Sequence, residues 1–331
     1  FAYAKAFERG FTDSTILFDL PTEFNPNCNS SALQKNDGNG LDCYNPQNYD
    51  GRFRGPVTMR QALGQSLNLP SVKTLYLAGV DDTIDLAQQM GITTLNDRSR
   101  YGLSLVLGGG EVRLVDMVNA YGVFANDGVR MLPSFLLKVV AADGTILEEY
   151  KKEEERALEP QITRLITDVL SDNNARGPIF GYNSPLYFPG RQVAAKTGTT
   201  QENSDGWLVG YTPSLVVGVW AGNNNNESMT KQGAGLSAAG PTWNNFMSRA
   251  LEGTAPEQFI EPDPITTDKI MLNGSYNGSD GIHSILYYVN KKDPTGPPPS
   301  NPNEDSQFKN WEEAVQRWLT RTGQTSHLLT P

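Results

Sequence analysis

The spacing of hydrophobic and polar residues predicts a chain of amphipathic helices with one β-rich stretch. Apolar residues recur at helical spacing in residues 1–10, 58–65, 70–79, 81–90, 111–125, 161–170, 239–251 and 310–319. The last segment carries Trp311 and Trp318 on one face, which we interpret as a packing stripe. Residues 136–150 are typical of a hairpin that turns at 142–144.

Three strand patterns follow one another closely at residues 191–200, 207–211 and 214–221. The third is rich in Val and is expected to be buried on both faces. Because the connections are short, the strands should form an antiparallel meander. An antiparallel sheet combined with separate helices is typical of an α+β fold.

Composition excludes several classes of protein. The net charge is 27 − 37 = −10 without basic blocks, so the chain lacks the electrostatic footprint of a nucleic-acid-binding protein. The longest apolar run, residues 215–221, is far shorter than the roughly 20 residues of a membrane helix. A hydrophobic content of 38% is enough to fill a core.

The few histidines limit the kinds of active site that the chain could contain. His283 and His327 stand outside metal-binding spacing, so we expect no metal, no cofactor and no Ser-His-Asp triad. A nucleophile would then need another activating group, usually a lysine.

Cys28 and Cys43 flank a polar loop, and either a disulfide, favoured outside the cytoplasm, or two free thiols fit the sequence. Residues 37–42 lack the Glu that completes a calcium loop, so we interpret them as turns.

The sharpest chemical signal is Lys196-Thr197-Gly198-Thr199 on the first predicted strand. A cation and two hydroxyls on one strand suit an extended peptide that ends in a carboxylate. Gly198 would let that peptide approach the backbone closely. Ser66-Leu67-Asn68, at a break between two predicted helices, supports this interpretation.

These segments together resemble the transpeptidase domain of penicillin-binding proteins, most closely the class A, bifunctional kind. The resemblance covers residues 1–262 and rests on TMRQALGQSLNLPSV, AYGVFANDG, VAAKTGTTQENSDGWLVGYTP and VVGVWAGN. The family uses S-x-x-K, S-x-N and K-T-G in that order. The aromatic, Tyr, Ala and Gly pattern that follows S-x-x-K in the family matches Phe1, Tyr3, Ala6 and Gly10. We therefore expect the nucleophilic serine and the base lysine to be absent, and this fragment to be inactive and not labelled by penicillin.

Two literal matches to the family motifs are interpreted as coincidences. Residues 171–173 read S-D-N but lie only 25 residues before Lys196, at the end of a predicted helix. Residues 228–231 read S-M-T-K but follow the K-T-G strand instead of opening an earlier helix.

The resemblance implies a role for each matched residue. Ser66 would relay a proton to the departing D-Ala, Asn68 would bind the substrate amide, and Lys196 would hold Ser66 and add positive potential. The hydroxyls of Thr197 and Thr199 would bind the terminal carboxylate, and the Thr199 N–H would be one of two oxyanion donors.

The family fold is a five-stranded antiparallel sheet with helices, here expected without its first two strands. That loss would leave a three-stranded sheet with the strand at 216–219 as a bare apolar edge. Residues 1–262 would form the truncated transpeptidase domain, and residues 263–331 a small accessory region with a Pro-rich linker and a terminal helix.

The resemblance also implies partners and a location. The partners would be peptidoglycan stem peptides ending in D-Ala-D-Ala, β-lactams and other cell-wall synthesis proteins. The protein would lie outside the bacterial plasma membrane, anchored only through a missing N-terminal part that would also hold a glycosyltransferase.

Two other functions remain open at this point. A β-lactamase or D,D-carboxypeptidase shares the three motifs, and a longer-lived acyl-enzyme would distinguish the transpeptidase. A non-catalytic cell-wall binding module would lack an S-x-x-K codon run upstream of Phe1.

Overall fold

Helices and small sheets alternate along the computed structural model, which describes residues 1–30, 34–200, 203–230 and 235–324. The α-helices are α1 (Ala2–Glu8), α2 (Met59–Gly64), α3 (Asn68–Ala78), α4 (Val80–Gln89), α5 (Leu114–Ala125), α6 (Pro160–Ser171), α7 (Asn173–Phe180), α8 (Gly235–Ala250), α9 (Ile285–Tyr288) and α10 (Phe308–Thr322). The strands are β1 (Ile16–Asp19), β2 (Gly55–Thr58), β3 (Val129–Met131), β4 (Lys138–Val140), β5 (Ile146–Glu149), β6 (Glu154–Arg156), β7 (Ala194–Thr199), β8 (Asp205–Tyr211), β9 (Val216–Gly222), β10 (Asn277–Gly278) and β11 (Gly281–Ile282). Among the described residues, every helix is too short or too polar to span a bilayer.

The largest sheet is the antiparallel meander β7-β8-β9, which confirms the predicted three-stranded sheet and its connections. Helix α8 covers one face, where Trp243 packs in a buried cluster with Leu208. Helix α5 covers the other face, because a Cβ added to Gly218 would lie 2.5 Å from Val118 of that helix. The sheet is therefore a layer between helices, and the combination of helices with an antiparallel sheet confirms the predicted α+β class.

The helical lobe beside this sheet contains the break that the sequence predicts. Thr58 caps α2 in a capping box with Gln61, which satisfies two N–H groups at the helix start. Helix α3 begins at Asn68, two residues before the predicted start at Pro70. The two-stranded sheet β1-β2 was not predicted, because all four residues of β1 are buried and give no alternation.

The C-terminal segment packs on the N-terminal half of the chain. Trp311 of α10 contacts the rings of Phe24 and Tyr76, and the backbone N–H of Ile16 donates to the carbonyl oxygen of Met271 at 2.7 Å. One buried hydrophobic cluster takes side chains from both sides of residue 262. The accessory role of residues 263–331 stays a prediction.

The polar loop between β1 and β2 is held by covalent and polar links. Cys28 and Cys43 form a disulfide, so neither thiol is free to bind metal. The Asp37 carboxylate accepts the backbone N–H groups of Asn39 and Leu41, which is the turn structure expected there.

Candidate active site

Ser66 occupies an unusual backbone position at the end of α2. Its φ is 56°, in the left-handed region that glycine normally fills after a helix. The N–H of Leu67 donates to the carbonyl oxygen of Ala62 at 2.9 Å, and the N–H of Ser66 donates to that of Leu63 at 3.2 Å. These are the two bonds of a Schellman motif, so the S-x-N segment is a helix C-cap with serine where glycine is usual. Such a conformation costs about 1–2 kcal/mol for a residue with a Cβ.

Lys196 and Ser66 meet across the groove between β7 and the helical lobe. The Lys196 Nζ donates to the Ser66 Oγ at 2.6 Å and to the Thr197 carbonyl oxygen at 2.8 Å. Burial lowers the pKa of the Lys196 ammonium to about 8, since desolvation disfavours the charged form. Both of these partners are neutral, so the ammonium retains positive potential to offer an anion in the groove.

Asn68 follows Ser66 by two residues, at the first position of α3. Its side-chain Nδ2 donates to the Gln47 carbonyl oxygen at 2.7 Å. This bond uses one of the two amide protons and leaves the other proton and the Oδ1 for a ligand. Asn68 therefore has the donor and the acceptor that a peptide amide requires.

Thr197 and Thr199 share one face of β7, because side chains alternate along a strand. The Thr199 Oγ1 accepts the Gly235 N–H at 2.9 Å, so its own O–H remains free to donate. The Thr200 N–H donates inward to the Asp205 carbonyl oxygen. By the alternation of an antiparallel ladder, the Thr199 N–H points to the open edge. Gly198 faces its cross-strand partner, where an added Cβ would lie 3.2 Å from the Trp207 Cβ.

All six predicted site residues line a single cleft of about 1350 Å³. The S-x-N and K-T-G-T segments form two of its sides, and the start of α1, from Phe1 to Tyr3, forms a third. A fourth side, residues 105–112, was not predicted, although the glycine run at 108–110 was a visible signal. A Cβ added to Gly108, whose φ is +98°, would lie 3.1 Å from the Thr200 Cγ2.

The literal S-D-N match has a different place in the fold. The Asp172 carboxylate caps α7 by accepting the N–H groups of Asn174 and Ala175, and it pairs with Arg60. Ser171 is not among the described residues that line the cleft. Lys231 of the literal S-x-x-K match lies outside the described residues, as does His327.

A second literal S-x-x-K match, which was not predicted to matter, stands at Ser306 and Lys309. It lies at the start of α10, and within the described ranges neither residue lines the cleft.

His283 is not among the described residues that line the cleft. Its Nδ1 is 2.8 Å from the Glu312 Oε1, and its Nε2 is 3.0 Å from the Asp280 carbonyl oxygen. Hydrogen bonding to Glu312 raises the pKa of this imidazole. The contacts tie α10 to the segment before α9, which is a structural role.

Comparison with known proteins gives consistent matches. The penicillin binding protein transpeptidase domain matches residues 21–248. Penicillin-binding protein 2D of Bacillus subtilis is 29% identical over 96% of this chain and 46% of its own length. Penicillin-binding protein 1A of Neisseria lactamica is 31% identical over 83% of this chain and 33% of its own. The chain thus spans less than half the length of these relatives.

Solved structures give the same fold. PonA1 of Mycobacterium tuberculosis, solved in complex with penicillin V, has 28% identity and a TM-score of 0.66 over 80% of this chain and 70% of its own. Penicillin-binding protein 1A of Haemophilus influenzae has 24% identity and a TM-score of 0.69 over 82% of this chain and 44% of its own. A match over most of the chain, with the S-x-N and K-T-G segments in one cleft, shows that the chain belongs to the penicillin-binding protein transpeptidase domain family.

Proposed function

We propose that this chain forms most of the active site of a peptidoglycan D,D-transpeptidase that cross-links stem peptides ending in D-Ala-D-Ala. The observation that carries the proposal is the 2.6 Å contact between the Lys196 Nζ and the Ser66 Oγ. It joins the second and third motifs of a serine acyl-transfer mechanism. Ser66 can pass a proton through this contact toward a leaving amine, and the Lys196 charge favours a substrate carboxylate nearby.

The remaining site residues fit the ends of the substrate. Thr197 and Thr199 line the cleft, and we assign their hydroxyls as donors for the terminal carboxylate, while Gly198 keeps this part of β7 free of a side chain. The Thr199 N–H at the open edge of β7 is an oxyanion donor. Asn68 binds the peptide amide that precedes the scissile bond. No step of this scheme uses a metal or a cofactor.

The attacking serine and its base lysine would come from a segment that precedes α1 in the full-length protein. This is supported by the start of α1, since Phe1, Ala2 and Tyr3 line the same cleft as Ser66 and Lys196. A helix entering the cleft at this point would carry an S-x-x-K motif to within reach of both residues. The acyl-enzyme then forms on that serine, and an amine of a neighbouring stem peptide resolves it.

A β-lactam would acylate the same serine.

We also propose that the protein lies on the outer side of the bacterial plasma membrane. The Cys28–Cys43 disulfide supports this location, since such bonds persist in oxidising compartments. A glycosyltransferase domain, a membrane anchor and contacts with other cell-wall synthesis proteins would belong to the rest of the full-length protein.

Fluorescent penicillin and mass spectrometry test the proposal in the full-length protein. We expect one labelled serine, located before Phe1, and no labelling of the 331-residue chain alone. Ser66→Ala and Lys196→Met should each lower the acylation rate by about 100-fold or more, whereas Lys138→Met, at an exposed ion pair with Glu149, should leave it unchanged. A label on any serine within residues 1–331 would overturn the assignment.

A further inference from the structure

Asn48 is a buried side chain in an otherwise exposed stretch of the loop between β1 and β2. It is 4% exposed, while its neighbours Gln47 and Tyr49 are exposed. Its Oδ1 accepts the backbone N–H of Asn68 at 2.8 Å and that of Leu69 at 3.4 Å. No side chain of its own helix caps the start of α3, so Asn48 supplies the cap from 20 residues away.

The Nδ2 of the Asn48 side chain is also hydrogen-bonded. It donates to both carboxylate oxygens of Asp19, at 2.8 and 2.9 Å, and to the Arg52 carbonyl oxygen at 2.7 Å. A flipped amide would set its NH₂ against two N–H donors and its oxygen against a carboxylate. The hydrogen-bonding partners therefore fix one orientation of this side chain.

Asp19 gives this arrangement a rigid base. It is fully buried at the end of β1, accepts the Arg54 backbone N–H at 3.1 Å, and lies 3.7 Å from the Arg54 guanidinium. The buried Lys73 amine donates to the adjacent Phe18 carbonyl oxygen at 2.7 Å. A buried carboxylate with this many donors is held in place, and burial raises its pKa although the hydrogen bonds from Asn48 and Arg54 oppose that shift.

The same loop also holds the side chain of Asn68. The Gln47 carbonyl oxygen accepts the Asn68 Nδ2, while the next residue, Asn48, holds the Asn68 backbone N–H. Both ends of Asn68 are thus fixed by two consecutive loop residues. Asn48 itself is absent from the described lining of the cleft, so it acts on a ligand only through Asn68.

We propose that Asn48 is a positioning residue for the reaction, which orients the S-x-N asparagine through a buried Asp19–Asn48–Asn68 chain of hydrogen bonds. This inference rests on the proposed transpeptidase function. Without the cap, the first turn of α3 would lose its fixed position against the loop. Asn68 would then reach the substrate amide in only a fraction of the molecules.

The experiment measures acylation of the full-length protein by a chromogenic cephalosporin. Asn48→Ala should lower the acylation rate constant about 10- to 100-fold in protein that circular dichroism shows to be folded. Asn39→Ala, the same change at an exposed position of the same loop, should leave the rate within about twofold of the wild type.

Asn48→Asp supplies a readout that a purely structural role would not produce. When protonated, the introduced carboxyl has the shape of the amide, with a carbonyl oxygen for the Asn68 N–H and an O–H for Asp19. When ionised, it would repel the Asp19 carboxylate, which also faces the Arg54 guanidinium and the Lys73 amine, whose pKa burial lowers to about 7. The ratio of variant to wild-type rate should therefore rise at least about fivefold from roughly pH 8 to pH 5.5.

Each outcome decides the proposal. A folded Asn48→Ala with the wild-type rate would overturn it, as would a pH-independent ratio for Asn48→Asp if the alanine variant does not fold. A wild-type protein that no β-lactam acylates would overturn the proposed function and this inference together. An acylated wild type with unaffected variants would overturn the Asn48 inference alone.

Discussion

The Ser66 Oγ accepts a hydrogen bond from the Lys196 Nζ at 2.6 Å, although the Ser66 backbone is left-handed, with φ of 56°. The C-cap geometry of α2 alone would favour glycine at this position. A serine there is backbone strain at a proposed functional position, which the rest of the fold must offset.

The strain predicts an unusual order of stability among variants. Ser66→Gly and Ser66→Ala both remove the hydroxyl, yet the glycine variant should be more stable by about 1 kcal/mol, because only alanine keeps the Cβ penalty. Urea unfolding of the 331-residue chain measures the difference. Ser248 is exposed inside α8, so Ser248→Gly should be less stable than Ser248→Ala by roughly 0.5–1 kcal/mol. The same order at both positions would contradict the strain.

Much of the site could be predicted from the sequence, because its motifs are local. Lys196 to Thr199 stand on one strand, and Ser66 and Asn68 stand at one helix break, so periodicity and turn residues were enough to place each group. The family resemblance brought the two groups together, and the Lys196–Ser66 contact confirms that they meet.

The parts that could not be predicted depend on contacts distant in sequence. Strand β1 is buried at every position and therefore shows no periodicity. Asn48 looks like any polar loop residue, since its importance depends on Asp19 and Asn68, which come from two other elements. The local sequence pattern gives no information about contacts between residues that are distant in sequence.

The buried Lys196 ammonium predicts a specific pH dependence of stability. Its folded-state pKa is lowered by burial from 10.5 to about 8. Between about pH 8 and 10.5 the unfolded chain therefore binds more protons than the native one. The free energy of unfolding should then rise with pH across this window, and the charge penalty should be fully present below it.

Paired urea titrations isolate this effect. The difference in stability between wild type and Lys196→Met should shift in favour of the wild type from about pH 8 to 10.5. Lys138→Met, at an exposed ion pair, should show no such window. Parallel profiles for wild type and Lys196→Met would mean that the ammonium is not desolvated in the native state.

The literal S-D-N segment predicts stability effects without catalytic ones. Asp172→Ala removes the cap of α7 and one partner of Arg60, and should cost about 1 kcal/mol. Ser171→Ala should change stability by less than about 0.5 kcal/mol. Penicillin acylation of the folded full-length variants should stay at the wild-type rate. A loss comparable to that of Ser66→Ala would reassign the S-x-N motif to Ser171.

The outer edge of β9 predicts self-association of the 331-residue chain. Within the described sheet β9 has β8 on one side only, and its sequence is Val-Val-Gly-Val-Trp-Ala-Gly. An apolar edge with unpaired backbone groups is a template for pairing with a second copy. We expect sedimentation velocity to show concentration-dependent dimers or larger species. Ala221→Lys places a charge on this edge and should shift the population toward monomer, whereas Ala255→Lys, at an exposed position after α8, should not. A wild-type chain that stays monomeric at high concentration would show that this edge is protected.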